Sequence, residues 1–189
     1  MQLLEISAVI FTLGYMLFAI RQKPMAWIMG IIASIISMVL FYGSNWGSTI
    51  LNFVYVAQGV LGFLEWQFFN KNRPAGYYIS KPRHSAYIFM AILTAAAINA
   101  LFQGYIVTTT ARIDMYLAMG SILATFIEIR KDTSCWYYWI LLNFAYAALY
   151  YYQGLYFYTI QMVVLALFSF KSLNEWVRHP DANVQTSGQ

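Results

Sequence analysis

Two stretches decide the fold: Ile20-Arg21-Gln22-Lys23-Pro24-Met25-Ala26-Trp27 and Ile129-Arg130-Lys131-Asp132-Thr133-Ser134-Cys135-Trp136. Each is a short basic break between long apolar runs, opened by Ile-Arg and closed by tryptophan. The runs outward from these breaks are about 17 to 23 residues long, the length a helix needs to cross hydrocarbon. They lack the alternation of a barrel strand. Hydrocarbon offers no water to backbone N–H and C=O groups, so such runs span as helices. Of the 189 residues, 61% are hydrophobic and 10% charged, too few solvating groups to cover a water-soluble globule.

The runs and breaks predict an all-α integral membrane protein with seven transmembrane helices at about 3–20, 25–42, 47–69, 85–103, 113–129, 136–152 and 155–174. Residues 1–180 form a single transmembrane domain, and 181–189 read as a short, polar, disordered cytoplasmic tail. The opening Met1-Gln2-Leu3-Leu4-Glu5 has no basic flank and no small-residue cleavage site, so the first run is expected to be retained. Cys135 is the sole cysteine, which excludes an intrachain disulfide and a thiolate cluster. His84 and His179 stand apart at polar positions, so no metal site and no cofactor are expected. The net charge of +4 comes from bases in short connections rather than on one face of a domain, so it speaks for membrane topology and not for nucleic acid.

Those bases fix an orientation. The first, third and fifth connections carry Arg21 and Lys23, then Lys71, Arg73, Lys81 and Arg83, then Arg130 and Lys131, and Arg178 follows the last helix. The second, fourth and sixth carry only Arg112. Lysine and arginine are retained on the cytoplasmic side, which places the N-terminus outside and the C-terminus inside, and so requires an odd number of spans.

Aligning Glu5 with Asp114 lays the second half on the first. At that register Trp27 meets Trp136, Ser34 meets Asn143, Tyr42 meets Tyr151 and Asn52 meets Gln161. The carboxylate thus precedes the tryptophan by the same spacing in both halves, Glu5 to Trp27 and Asp114 to Trp136. After a one-residue slip Glu65-Trp66 meets Glu175-Trp176. The expected architecture is two parallel three-helix repeats, about 3–69 and 113–174, joined by a linker helix at about 85–103 (3+1+3).

Polar and aromatic residues recur at helical spacing in three spans. The second gives Trp27, Gly30, Ser34, Ser37 and Phe41; the sixth gives Trp136, Trp139, Asn143, Tyr146 and Tyr150. The third gives Asn52, Tyr55, Gly59, Gly62 and Trp66, with Gln58 close by. An amide in hydrocarbon must find a partner, so these side chains are expected to point into the bundle, toward each other, water or a ligand. Packing alone would also use these residue types. Amides join helices, and Trp27, Trp66, Trp136 and Trp176 near helix ends suit an interfacial belt or simple packing. Gly59 and Gly62 suit close helix approach, and the carboxylates near helix ends suit snorkelling or pairing with bases. Aromatic faces with amides fit a flat cationic ring bearing a polar group, while a phosphorylated substrate lacks a mid-membrane base to meet it.

The pattern resembles the PnuC-type vitamin transporters, best known as nicotinamide riboside transporters. The marks are Glu5, Trp27-x-x-Gly30, Asn52-x-x-Tyr55 with Gly62 and Trp66, Arg130-Lys131 to Trp136-x-x-Trp139-x-x-x-Asn143, Gln153-Gly154-Leu155-Tyr156, and Asn174-Glu175-Trp176. The resemblance implies a fold similar to fused three-helix sugar-transporter units (SWEET-like), commonly a homotrimer in a bacterial inner membrane. It also implies uptake by facilitated diffusion, with a cytoplasmic vitamin kinase trapping the product. Asn52 stands where the family usually has glutamine, Glu65 where another polar residue is common, and the chain lacks the extra N-terminal segment of several riboside members. Similar short members, the PnuT group, are associated with thiamine. The leading expectation is a nicotinamide riboside uniporter with substrate-binding residues Trp46, Asn52, Tyr55, Gln58, Trp139, Asn143, Tyr146 and Gln161; the alternative is thiamine. A non-transporting scaffold is the second alternative. An intramembrane enzyme is disfavoured, because no nucleophile with a base, paired carboxylates or metal ligands lie at depth.

Overall fold

Every apolar run is a helix. The computed structural model describes residues 2–42, 46–106 and 108–181, and the expected tail beyond residue 181 lies outside them. In order, the helices are α1 (Gln2–Ile20), α2 (Met25–Phe41), α3 (Trp46–Leu64), α4 (Lys81–Leu101), α5 (Thr109–Ile129), α6 (Cys135–Tyr152) and α7 (Tyr156–Arg178). A π-helical turn, Glu65–Phe69, continues α3. Ends differ from expectation where polar residues carry a helix past its apolar run. Helix α4 begins at Lys81 because Pro82 fits the first helical turn, where no backbone N–H partner is needed. Helix α7 runs on through Asn174 and Glu175 to Arg178.

Four segments are long and apolar enough to cross a membrane: Leu3–Ile20, Ser48–Phe69, Lys81–Leu101 and Tyr156–Arg178; Met25–Leu40 is a shorter apolar helix. On α4, Phe89, Met90, Ile92 and Leu93 are each more than half exposed. Large apolar residues on several sides of one helix need lipid, or another apolar surface, as their solvent. The chain is a multi-pass membrane protein.

The chain divides into two compact units. The first holds Met1–Gly76, Glu128–Thr133 and Asn174–Gln189; the second holds Tyr77–Ile127 and Ser134–Leu173. In the first unit α1 packs on α2 and α2 on α3. The α2–α3 contact needs glycine. A Cβ on Gly62 would lie 2.4 Å from Cδ2 of Trp27, and one on Gly59 would lie 2.6 Å from Cγ1 of Ile31. The two glycines therefore serve close approach, as the sequence suggested.

The core of the first unit is aromatic. Trp27 stands edge-on to Trp66 at 5.3 Å and to Tyr15 at 6.0 Å, and Trp66 lies 5.8 Å from Trp176. Trp27, Trp66 and Trp176 are at most 2% exposed. They are packing residues and not a lipid-facing belt. In the second unit Trp136 is likewise fully buried. Glu128 also departs from the expected snorkelling: it is fully buried and accepts a hydrogen bond from the Tyr15 hydroxyl.

Helix α1 ends in a Schellman motif. Lys23 N–H donates to the Phe18 carbonyl and Gln22 N–H to that of Ala19, with Gln22 left-handed at φ 54°. Lys131, the counterpart of Gln22 in the second half, ends α5 with the same φ of 54° and donates its N–H to the Glu128 carbonyl. Neither is glycine, so each left-handed backbone costs roughly 1–2 kcal/mol that other contacts must offset.

Candidate functional site

The expected site residues fall on α3 in the first unit and on α6 and α7 in the second. On α3, Trp46 opens the helix and its side chain lies outside the described residues. Asn52 spends an amide N–H on its own helix, donating to the Ser48 carbonyl at 2.9 Å. Tyr55 is half-buried and Gln58 is buried, 9% exposed. The three side chains lie within two turns of α3, as their spacing predicts.

In the second unit Asn143 is the deepest of the expected residues, 5% exposed, and donates from Nδ2 to Ser169 Oγ on α7 at 3.2 Å. Ser169 passes its own hydroxyl proton to the Leu165 carbonyl at 2.9 Å, so its oxygen is oriented to accept. The asparagine is thereby held in one rotamer, which is how a binding amide is preorganised. Trp139, one turn earlier on α6, is half-buried. Tyr146 stacks on Tyr150 at 5.8 Å and 24° between planes, and Tyr150 meets Tyr158 of α7 at 5.7 Å. Gln161 lies one turn beyond Tyr158, and its Oε1 is buried with no hydrogen-bond partner among the described residues. A buried acceptor without a donor costs about 1–3 kcal/mol, a cost that a ligand or water N–H or O–H removes.

Helix spacing already placed Tyr150 on this α6 face. Ser169 and Tyr158 carried no such signal, because a lone serine in an apolar run reads as packing and Tyr158 sits among other aromatics. A shallow groove of about 540 Å³ in the second unit is lined by Thr109, Thr110, Ile113, Ala145, Ala148, Leu149 and Tyr152, and by none of the expected site residues. Among the described residues no group of three or more His, Cys, Asp and Glu side chains is placed to hold a metal ion. His84 is instead held by oxygens of α6 and its cap, with Nδ1 2.9 Å from the Tyr138 hydroxyl and Nε2 3.3 Å from Ser134 Oγ.

A second cluster, which sequence reasoning missed, closes the base-bearing end of the first unit. Trp66 Nε1 donates to the Ile129 carbonyl at 3.0 Å, and Trp176 Nε1 donates to the Ala19 carbonyl at 2.9 Å. The two donors correspond in the slipped register of the repeat, and the acceptors lie one residue out of register with each other at the ends of α1 and α5, where Ile129 aligns with Ile20. Gln22 Nε2 donates to the His179 carbonyl at 3.1 Å. Lys131 Nζ donates to the carbonyls of Asn70, Lys71 and Arg73 at 3.0 to 3.3 Å and lies 5.7 Å from the Trp66 ring centre. Gln22 corresponds to Lys131, and Asn70 to His179, in the register that aligns Glu5 with Asp114. Burial, and then the nearby Arg73 guanidinium, lowers the Lys131 pKa to about 8.

The return from the slipped register has a local cause. The step from Trp66 to Asn70 is one residue longer than that from Trp176 to His179, and the π-helical turn Glu65–Phe69 takes up the extra one. Backbone bonds complete the cluster, with Ala75 N–H on the Pro180 carbonyl and Gly76 paired with Lys131 and Thr133.

The sequence matches the nicotinamide mononucleotide transporter family over residues 2–178. The chain belongs to that family. By that membership it is a membrane transporter of the PnuC type and not an enzyme. Among solved structures, the family member's fold is similar to the "Crystal structure of the Vitamin B3 transporter PnuC", with a TM-score of 0.72 and 16% identity over 93% of this chain and 80% of that one. At that identity the likeness concerns the fold. No curated protein matches the sequence.

Proposed function

We propose that this transporter carries nicotinamide riboside into the cell by facilitated diffusion, with phosphorylation by a cytoplasmic kinase trapping the product. The observation that carries the reading is the α6–α7 face: Asn143 held by Ser169, flanked by Trp139 and Tyr146, with the unpartnered Gln161 Oε1 on α7. Aromatic faces attract a pyridinium ring, and amides suit a carboxamide and ribose hydroxyls. No lysine or arginine occurs in residues 24–70, 84–111, 113–129 or 132–170; Arg112 lies in the first turn of α5 and Lys171 in the last third of α7, so no base stands at mid-span to neutralise a phosphate. That favours the nucleoside over the mononucleotide for which the family is described. Trp46, Asn52, Tyr55 and Gln58 of α3 are the substrate-binding residues proposed in the first repeat.

The proposed architecture is seven spans in two parallel three-helix repeats with α4 between them, SWEET-like, and assembled as a trimer. The paired bonds between corresponding residues support the repeat. Hydrogen bonds join the first and third connections to the chain after α7 and the fifth connection to the third, so the basic segments meet at one end. This supports an N-terminus outside and a C-terminus inside, in a bacterial inner membrane.

Uptake into proteoliposomes holding the matching kinase and ATP tests the function. Labelled riboside should accumulate and be retained as phosphate ester. Accumulation of thiamine instead, with thiamine kinase inside, would reassign the substrate. Accumulation of neither would remove the proposal.

A further inference from the structure

We propose that Trp66, Trp176, Gln22 and Lys131 form a paired clasp that closes the base-bearing end of the transporter and opens in each transport cycle. The inference rests on the reading of the chain as an alternating-access carrier. Each of the four side chains donates from one sequence repeat to a carbonyl of the other, and each has its counterpart in the opposite repeat. A tie between repeats made twice by equivalent residues is what a two-fold closure requires. One set of bonds breaks as each repeat rotates from the other.

The chemistry suits reversal. The acceptors are carbonyls at or just beyond helix ends; those of Ala19 and Asn70 also take a backbone N–H, from Gln22 and Arg73, and water reaches the others once the clasp parts. Among the described residues Lys131 meets carbonyls and the Trp66 ring but no carboxylate. Its release therefore strands no buried anion, unlike the breaking of a buried ion pair. Gln22 and Lys131 also hold left-handed backbones at φ 54°, a strain that persists only while surrounding contacts enforce it and that recurs at switch positions. Beneath the clasp, Trp27, Trp66 and Trp176 exclude water.

Cys135 is a built-in reporter. It is the sole cysteine, fully buried, and follows closely on the clasped Thr133. Its labelling rate by a polar maleimide, measured in lipid nanodiscs without substrate, reads opening independently of which vitamin is carried. Labelling should be slow in the native protein. It should rise about fivefold for each hydrogen bond removed in Trp66→Phe, Trp176→Phe, Gln22→Ala and Lys131→Gln. Uptake in the same variants should show a KM raised severalfold with little loss of maximal rate, because fewer empty carriers face outward. The lipid-side control Phe144→Ala should leave the labelling rate unchanged.

Unchanged labelling in the clasp variants, or an equal rise in the control, would overturn the proposal. If the tryptophan variants do not fold, Gln22→Ala and Lys131→Gln decide it. If none of the four folds, the cluster is a permanent tie and the proposal fails.

Discussion

Gln22 and Lys131, equivalent positions in the two repeats, share a left-handed backbone at φ 54°, and each reaches from the end of its helix to carbonyls that follow the third helix of the other repeat. One is neutral and the other carries a titratable charge. These two helix ends are thus alike in backbone and different in charge.

That difference predicts a pH dependence. Lys131 titrates near 8 in the folded protein against an ordinary lysine value of 10.5. Between these values the unfolded chain binds more protons, so the contribution of Lys131 to stability rises with pH from about 8 toward 10.5. Thermal unfolding in detergent between pH 7 and pH 10 should show this rise in the native protein relative to Lys131→Met. Parallel curves for the two proteins would show that Lys131 is not held as described.

Gly62 should not tolerate a methyl group. Its Cβ would lie 2.4 Å from the Trp27 indole, which is 2% exposed and boxed in by Tyr15 and Trp66. Gly62→Ala is expected to destabilise by about 1–3 kcal/mol, as overpacking does. Gly104→Ala, with nothing within 4 Å of its Cβ, should be neutral. Denaturation midpoints of the two variants measure the contrast.

Asn143 and Ser169 should behave as a coupled pair. Asn143→Ala removes the proposed ligand contact, whereas Ser169→Ala removes only the acceptor that holds the amide. Riboside titration followed by tryptophan fluorescence should give a large loss of affinity for the first and a loss of about fivefold for the second. The double variant should bind no worse than Asn143→Ala alone. Additive losses would separate the two residues.

Gln161→Leu should trade binding for stability. Removing a buried acceptor without a partner is expected to stabilise the ligand-free protein by about 1 kcal/mol. The same change should weaken riboside binding, because the ligand loses that acceptor. A variant that is less stable and binds normally would place Gln161 in the helix packing.

The helices were legible because hydrocarbon leaves a backbone one cheap solution, while ends such as Lys81 and Arg178 were not, because polar residues carry those helices past their apolar runs. The close approach at Gly59 and Gly62 was legible too, since glycine at helical spacing has few other uses in a span. The burial of Trp27, Trp66, Trp136 and Trp176 was not. A tryptophan near a helix end reads alike whether it turns to lipid or inward, because sequence gives its depth but only weakly its azimuth. Asn143 stood out as an amide in an apolar run, whereas Ser169 did not, because serine can satisfy its hydroxyl on its own helix.

By itself the sequence determined that the chain lives in lipid, roughly where its helices lie, and that residues of its two halves recur at one spacing. These follow from solvation and periodicity, which act locally along the chain. Tertiary structure decided what the correspondence does: Trp66 bonds the helix end at Ile129, Trp176 bonds the one at Ala19, and Gln22 and Lys131 reach across beside them. A hydrogen bond needs its donor within about 3 Å of its acceptor, and no pattern along a chain specifies that distance between residues so far apart in sequence until the helices have packed.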